Sequence, residues 1–384
     1  MTYRARIIAL NYSIMLQHGV ALVLLGPILP QLMHTFGIAE SSAGLLLGLG
    51  SVGFMLSPLI AGTLIDRTGV KQALLVGLCG EILFLVLFGF SPSFVWAIIA
   101  NMLLRFHAAF IETSGNALPA IAFGSSSGSL MNRIHVFFGI GAFTAPIFIG
   151  MILEKTGNWR IVFWIAALIT LLVTVPTAKM HLPSQPAGRP HGRGAFPWRI
   201  LRDGPTMLGA LTMFAYVGAE VGMSSWIVHY LQKHLEFSVV ASTTGLTVLW
   251  VGIMVGRYAN SILNRYLQSR ILVMWAGALG LGAGLGLLSA SQPIISYVWL
   301  FLVGLCMSGI FPHVMAELNS RDPTRTGAVT GVLTIAAATG AAAIQPVLGI
   351  IAESVGLRAA IAVPAILMGA IPLTFGRVRA KTQR

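Results

Sequence analysis

The feature that most constrains the fold is a series of twelve apolar segments, each long enough to cross a bilayer, which takes roughly 20 residues. The segments occupy residues 7–32, 41–64, 72–90, 94–118, 130–153, 160–178, 206–232, 240–263, 271–290, 294–318, 326–352 and 358–376. Only 9% of the residues are charged, against about 25% in a soluble domain. The sequence therefore predicts an all-α polytopic membrane protein with twelve transmembrane helices. The first segment is too long for a cleavable signal peptide and is expected to be retained.

Lysine and arginine residues are distributed unequally between the two sides of the membrane. Twelve spans place both termini on one side, and four basic residues fall on the other: Lys155, Arg160, Lys233 and Arg358. Arg105 and Arg257 lie within spans, and the remaining eighteen of the 24 share the side of the termini. The positive-inside rule then predicts cytoplasmic termini and a multi-pass protein of a bacterial inner (plasma) membrane. Because these charges face anionic lipid, the net charge of +13 requires no nucleic-acid partner.

The two halves of the chain resemble each other. The string Thr63-Leu-Ile-Asp66-Arg67 precedes the third span, and Ser261-Ile-Leu-Asn264-Arg265 precedes the ninth. We expect one six-helix bundle at residues 1–180, a cytoplasmic linker at 181–204 and a second bundle at 205–384. Two repeated halves are typical of secondary transporters, in which substrate binds between the halves near mid-membrane and the halves rock around it.

Polar residues form a stripe on the fourth span. Arg105 follows Asn101 by four residues and precedes Glu112 by seven and Asn116 by eleven. These spacings place all four on one face of a helix. A charge at bilayer depth costs several kcal/mol, so it should face protein or a water-filled cavity. The stripe predicts the wall of a passage.

The residues Gly62-Thr-Leu-Ile-Asp66-Arg67-Thr-Gly69-Val-Lys71 resemble the loop signature of the major facilitator superfamily between its second and third helices. Within that superfamily the chain is similar to the fucose/galactose/glucose proton-symporter family. The matching stretches span both halves: Ile111-Glu112-Thr113 with Asn116, Met131-Asn132 with Gly141-Ala142, Tyr216-Val-Gly-Ala-Glu220, Gly256-Arg257 and Gly309-Ile-Phe-Pro312. The resemblance implies two pseudo-symmetric six-helix bundles and sugar entry coupled to proton flow.

Candidate site residues follow from this resemblance together with the polar positions in the spans. The expected proton-coupling groups are Glu112, Glu220 and His135. The expected substrate-binding groups are Asn116, Asn132, His135, Tyr216, Glu220 and Gln345. The expected gating groups are Asp66, Arg67, Lys71, Arg105 and Arg257. The chain departs from the fucose members at two positions, with Gly26 where they carry an aspartate and Phe138 where they carry an asparagine.

Several of these residues also have a purely structural interpretation. Glu112 could neutralise Arg105, although seven residues separate them by about 10 Å along the helix. Glu220 could make a packing hydrogen bond. His135 and His18 are each either proton relays, because histidine titrates near neutral pH, or satisfied polar contacts. Glu81, without a polar stripe around it, is expected to be structural or to line a water-exposed crevice. The two cysteines, Cys79 and Cys306, are expected to be buried.

Three classes of function remain open. The first is a proton-coupled importer of a sugar or similar small polar solute. The second is a proton-driven exporter of drugs or metabolites, which Arg105 favours because antiporters of this superfamily carry an arginine in the fourth helix. The third is a membrane receptor or an intramembrane enzyme. The string Gly124-Ser-Ser-Ser-Gly128 fits a nucleophile-elbow pattern but lacks the strand that precedes one.

The expected partners are a small-molecule substrate, protons and the lipid bilayer, and the protein is expected to be a monomer and not an enzyme. No Gly-Lys pair occurs in the sequence, so it contains no phosphate-binding loop of the P-loop type. No cofactor is expected.

Overall fold

A computed structural model describes residues 2–124, 128–183, 198–321 and 325–378, and this part of the chain is almost entirely α-helical. Its helices are α1 (Tyr3–Leu22), α2 (Leu25–Phe36), α3 (Glu40–Thr68), α4 (Val70–Gly89), α5 (Phe94–Phe123), α6 (Gly128–Thr156), α7 (Arg160–Lys179), α8 (Gly204–Lys233), α9 (Val239–Leu263), α10 (Ser269–Ser289), α11 (Pro293–Met307), α12 (Ile310–Asn319), α13 (Thr326–Ser354) and α14 (Leu357–Phe375). Twelve spans in the described ranges are long and apolar enough to cross a membrane. The predicted number and order of spans are confirmed.

Two of the twelve spans are broken, which the apolar segments did not indicate. The first divides into α1 and α2 at Val23 and Leu24, and the tenth divides into α11 and α12 at Ser308 and Gly309. A proline is the third residue of each second piece, Pro27 in α2 and Pro312 in α12. Proline lacks an N–H, and its ring clashes with the carbonyl four residues earlier, so the helix breaks one turn before it.

The chain divides into two compact units. The first comprises Met1–Ile38 and Leu49–Pro190. Within it α4 packs on α5 and α7, and α1 packs on α6. The crossing of α1 and α6 is very close: a Cβ added at Gly19 would lie 2.1 Å from the Phe138 carbonyl oxygen, and one at Gly141 2.1 Å from the Leu16 carbonyl oxygen. Only glycine permits this backbone approach.

The second unit comprises Ala39–Gly48 and His191–Arg384, so it includes the start of α3. Here α8 packs on α13 and α14, α9 on α11, and α10 on α14. The predicted linker at 181–204 falls largely on residues 184–197, and the Gly124–Gly128 string includes residues 125–127. Both sets lie outside the described residues.

Many large apolar side chains are exposed on the helices, as expected where a helix contacts lipid rather than protein. Leu59 and Leu373 are 78% and 65% exposed. Cys79 also lies on an exposed face, so its predicted burial was wrong, whereas Cys306 is buried as expected. A cysteine in an apolar span faces either lipid or protein, and hydrophobicity alone does not distinguish the two.

Candidate functional site

The first half of the α5 stripe makes its described contacts within the first unit. Asn101 is fully buried, and its side chain fills the space where a Cβ at Gly50 would lie. The guanidinium of Arg105 donates a hydrogen bond of 2.8 Å to the carbonyl oxygen of Leu22, the last residue of α1. Arg105 therefore holds the carbonyl end of α1 beside the break in the first span.

The second half of the stripe is open. The Glu112 side chain is 40% exposed, and its carboxylate lies 3.8 Å from Nε2 of His18, which is almost completely buried. His135, on α6, also interacts electrostatically with Glu112. Asn116 is partly exposed one turn further along α5. These residues come together within the first unit, whereas the side chain of Asn132 lies outside the described part of the chain.

His18 is thus the partner of Glu112, a relationship that the sequence pattern did not identify. The hypothesis that Glu112 neutralises Arg105 placed its partner on the same helix. The structure instead shows a histidine on α1, which packs against α5. The sequence offered His18 as a proton relay or a satisfied polar contact, without assigning it a partner.

Glu81 on α4 is completely buried, so of the two predicted alternatives, a structural position or a water-exposed crevice, the crevice was wrong. Its carboxylate accepts hydrogen bonds from the side-chain amide of Gln17 on α1 and from the hydroxyl of Thr170 on α7, at 3.3 Å. Gln17 also donates to Thr170, at 2.8 Å. The sequence showed no stripe around Glu81 because its partners come from other helices.

In the second unit, Glu220 on α8 is partly exposed. It interacts with the Tyr216 hydroxyl, one turn earlier on α8, and with the charge of Arg257 on α9. Tyr216 is 2% exposed, so its ring packs inside the bundle, while Arg257 is exposed. The predicted residues Tyr216, Glu220 and Arg257 therefore form one polar cluster.

Gln345 on α13 lies in the packed interior of the second unit. Its side-chain oxygen accepts a hydrogen bond of 2.7 Å from the indole of Trp226. Its side-chain nitrogen donates to the carbonyl of Val221 and to the hydroxyl of Ser225. Because both amide hydrogens are engaged, Gln345 ties α13 to α8 in this conformation. Its role in binding substrate stays a prediction.

In the loop signature between α3 and α4, two residues are exposed and a third is hydrogen-bonded to another helix. Asp66 and Arg67 are exposed at the end of α3. Lys71, the second residue of α4, donates a hydrogen bond of 2.7 Å to the carbonyl of Ala178 near the end of α7. Arg270, the second residue of α10, donates in the same way to the carbonyl of Gly376 after α14. A cation at a helix C-terminus is favourable, so each bundle carries the same helix cap.

Comparisons with known proteins agree with this architecture. The sequence profile of the Major Facilitator Superfamily matches residues 12–344. The glucose/mannose transporter GlcP of Bacillus subtilis is 24% identical over 354 residues, which cover 88% of this chain and 86% of that protein. The glucose/galactose transporter of Brucella abortus is 23% identical over 373 residues, again covering 88% of this chain and 86% of the relative.

Solved structures show the same fold. A D-xylose-proton symporter superposes with a TM-score of 0.80 at 13% identity, covering 100% of this chain and 99% of that one. The fucose:proton symporter FucP of E. coli superposes with a TM-score of 0.67 at 20% identity over the full length of both chains. The family profile matches most of the sequence, and the twelve spans of the described residues have the same fold as these transporters. This chain therefore belongs to the Major Facilitator Superfamily of transporters.

Proposed function

We propose that this transporter imports a sugar, or a similar small polar solute, together with protons by alternating access. The observation that carries the proposal is the pair of His18 and Glu112. It joins a partly open carboxylate to a buried imidazole within the first unit. Acidic side chains at membrane depth mark ion and substrate pathways, and histidine titrates close to physiological pH. Together these two groups provide a place to bind and release a proton.

The substrate class is supported by the sugar transporters among the relatives. Carboxylate and amide groups are the usual partners of sugar hydroxyls, because they form charge-assisted or neutral hydrogen bonds. The partly exposed Asn116 and Glu220 are the residues of this chain best placed to supply them. We assign binding to these two first, with His135, Asn132, Tyr216 and Gln345 as further candidates.

The experiment is uptake of labelled sugar into proteoliposomes that contain the purified protein. Glucose, galactose, mannose, fucose and xylose are each tested with an inward proton gradient, with equal pH on both sides, and with the gradient collapsed by a protonophore. We expect accumulation of at least one sugar above its external concentration only with the gradient. No accumulation of any of the five under the inward gradient would overturn the proposal.

The same assay separates import from export. The exporter hypothesis depended on Arg105, and in the structure its guanidinium binds the Leu22 carbonyl and interacts with Glu81. Arg105 therefore has a role within the bundle that does not require an exported substrate. An exporter would instead empty preloaded vesicles when protons flow in the opposite direction to the substrate.

We further propose that both termini are cytoplasmic, that the membrane is the bacterial plasma membrane, and that the protein works as a monomer with bundles at 1–180 and 205–384 joined by the linker 181–204. The charge asymmetry supports this orientation. In a variant without Cys79 and Cys306, Pro190→Cys should react with an impermeant maleimide only from the cytoplasm. Asn158→Cys is the matched control, expected to react only from outside. The reverse pattern would contradict the orientation.

A further inference from the structure

The proposed function does not use Glu81, a buried acid of the first unit. Glu81 has no exposed surface, lies on α4 inside the first unit, and is reached by side chains from three other helices. Gln17 approaches from α1 and Thr170 from α7, while Arg105 on α5 interacts with it electrostatically. An isolated acid that only filled space would be costly at this depth, so its surroundings need an explanation.

The hydrogen bonds around Glu81 are too few for a permanently ionised carboxylate. An ionised carboxylate offers about four acceptor sites on its two oxygens. In the described part of the chain, Oε2 receives the Gln17 and Thr170 bonds, and Oε1 is buried without a hydrogen-bond partner. The Thr170 hydroxyl also faces the Ala166 carbonyl, at 2.9 Å, and a hydroxyl has only one hydrogen to share. A proton on the carboxyl group would remove a buried negative charge that few donors stabilise.

Two basic side chains also lie near Glu81. His18 on α1 and Arg105 on α5 both interact with it electrostatically. On α7 the group that touches Glu81 is the uncharged Thr170. His107, also on α5, packs its ring against the neighbouring Gly80. The donor count therefore favours the protonated acid, and the nearby cations favour the carboxylate.

His18 connects this buried acid to the open one. Its ring lies 3.8 Å from Glu112, and its charge also acts on Glu81. Its two ring nitrogens are buried and have no hydrogen-bond partner among the described residues. The neighbouring residue of α1, Gln17, holds the Glu81 carboxylate directly. One turn of α1 thus contacts both acids.

We propose that Glu81 is a second proton-binding site of the first unit and that His18 couples its protonation to that of Glu112. A proton entering at the partly open Glu112 changes the charge balance on His18, and Glu81 then binds or loses a proton in response. This inference rests on the proposed proton coupling, but it concerns where protons bind and not what is transported.

Infrared difference spectroscopy on the purified protein tests this directly, because protonated carboxylic acids absorb in a region free of amide bands. The titration runs from about pH 5 to about pH 9, which covers the range of perturbed carboxyl groups. We expect two titrating bands in the wild-type protein, one lost in Glu81→Gln and the other in Glu112→Gln. Glu154→Gln, at an exposed position in the last turn of α6, is the matched control and should lose neither.

A separate variant tests the coupling between Glu81 and Glu112. His18→Gln should move the midpoints of both bands by about one pH unit or more, as expected for interacting sites. Movement of the Glu112 band alone would overturn the coupling. If the Glu81→Gln protein keeps every titrating band of the wild-type protein, the site itself is overturned, because Glu81 would then keep one protonation state throughout the titration.

A second variant tests the Glu81 site even if Glu81→Gln does not fold. Thr170→Val removes one hydrogen bond to Glu81 but keeps the acid, so it should shift the frequency of the Glu81 band. An unchanged set of bands in Thr170→Val would contradict the assignment. The infrared result also stands apart from sugar uptake. Proton-driven uptake without a Glu81 band would reject only this inference, and a Glu81 band without proton-driven uptake would reject only the proposed function.

Discussion

His18 and Glu112 form a pair in which Nε2 of the imidazole lies 3.8 Å from the carboxylate, the histidine side chain 1% exposed and the glutamate side chain 40% exposed. The pair joins α1 to α5 within the first unit. Its position on the boundary between open surface and packed interior suits a group that exchanges protons with water. The charge it gains or loses then acts on buried partners, where low dielectric makes charge interactions stronger.

Glu112→Gln should abolish accumulation of sugar driven by a proton gradient, because the amide cannot bind and release a proton. Exchange of labelled for unlabelled sugar at equal pH requires no proton release, so a measurable part of it should remain. The measurement is uptake and counterflow in the same proteoliposomes.

Glu154→Gln makes the same chemical change at the exposed end of α6 and should leave both activities at the wild-type level. If Glu112→Gln still concentrated sugar against its gradient, Glu112 would not be the coupling group. His18 and His135 would then be the next residues to replace.

The order and number of the helices were predictable from the sequence because lipid imposes the same two requirements on every span. The backbone must form its hydrogen bonds within the helix, and about 20 apolar residues are needed to cross the bilayer. The breaks at Val23 and Ser308 escaped prediction, although Pro27 and Pro312 mark both in hindsight. Proline is tolerated within several other helices here, for example Pro58 in α3. A proline alone therefore does not show which helix breaks.

The candidate site was only partly predictable for a similar reason. Helical periodicity relates residues on one helix, so it correctly grouped Glu112 with Asn116 on α5. It carries no information about which residues of other helices face them. The contacts of Glu112 with His18 and of Glu81 with Gln17 and Thr170 each join different helices, so they depend on how α1, α4, α5 and α7 pack together.

Glu220→Gln should weaken substrate binding more than it slows turnover. Replacement keeps the shape of the side chain but removes its charge, and a hydrogen bond to a charged group is worth about 1.5–3 kcal/mol. We expect KM for the transported sugar to rise about tenfold or more, since each 1.4 kcal/mol is a factor of ten. The measurement is initial uptake rate against sugar concentration.

Tyr216→Phe is the companion variant, because it removes the hydroxyl that interacts with Glu220 but keeps the buried ring. It should raise KM by a smaller factor. An unchanged KM in Glu220→Gln would show that this carboxylate does not contact the substrate.

Asp66→Asn should slow transport while leaving substrate affinity nearly unchanged. Asp66 is exposed at the end of α3, where it can interact with a helix N-terminus and with arginines when the cytoplasmic side closes. We expect about a tenfold lower maximal rate, equal to about 1.4 kcal/mol in the barrier, with KM unchanged. The repeat position in the second half carries Asn264, so Asn264→Ala should have a much smaller effect. Wild-type turnover in Asp66→Asn would exclude the gating role.

The ion cluster at the start of α3 allows a stability prediction. The Glu40 carboxylate contacts the ammonium of Lys233 on α8 and lies 3.4 Å from Nε2 of His229, all within the second unit. The Glu40 side chain is 10% exposed and that of Lys233 is 58% exposed. Removing the lysine leaves a buried carboxylate beside His229 without its ammonium partner, whereas removing the acid leaves a lysine that water can solvate.

Lys233→Met should therefore destabilise the protein more than Glu40→Gln. We expect a loss of about 1–3 kcal/mol when the buried carboxylate loses its cation, against under about 1 kcal/mol when the acid is neutralised and only the pairing with the exposed lysine is lost. The double variant should lose less stability than the sum of the two single-variant losses, because the residues share one interaction. The measurement is the unfolding midpoint in detergent of the wild-type protein, the two single variants and the double variant.

Lys155→Met, at an exposed lysine on α6, controls for the loss of surface charge. If its unfolding midpoint were as low as that of Lys233→Met, the assignment of the cluster as a stabilising contact would be contradicted.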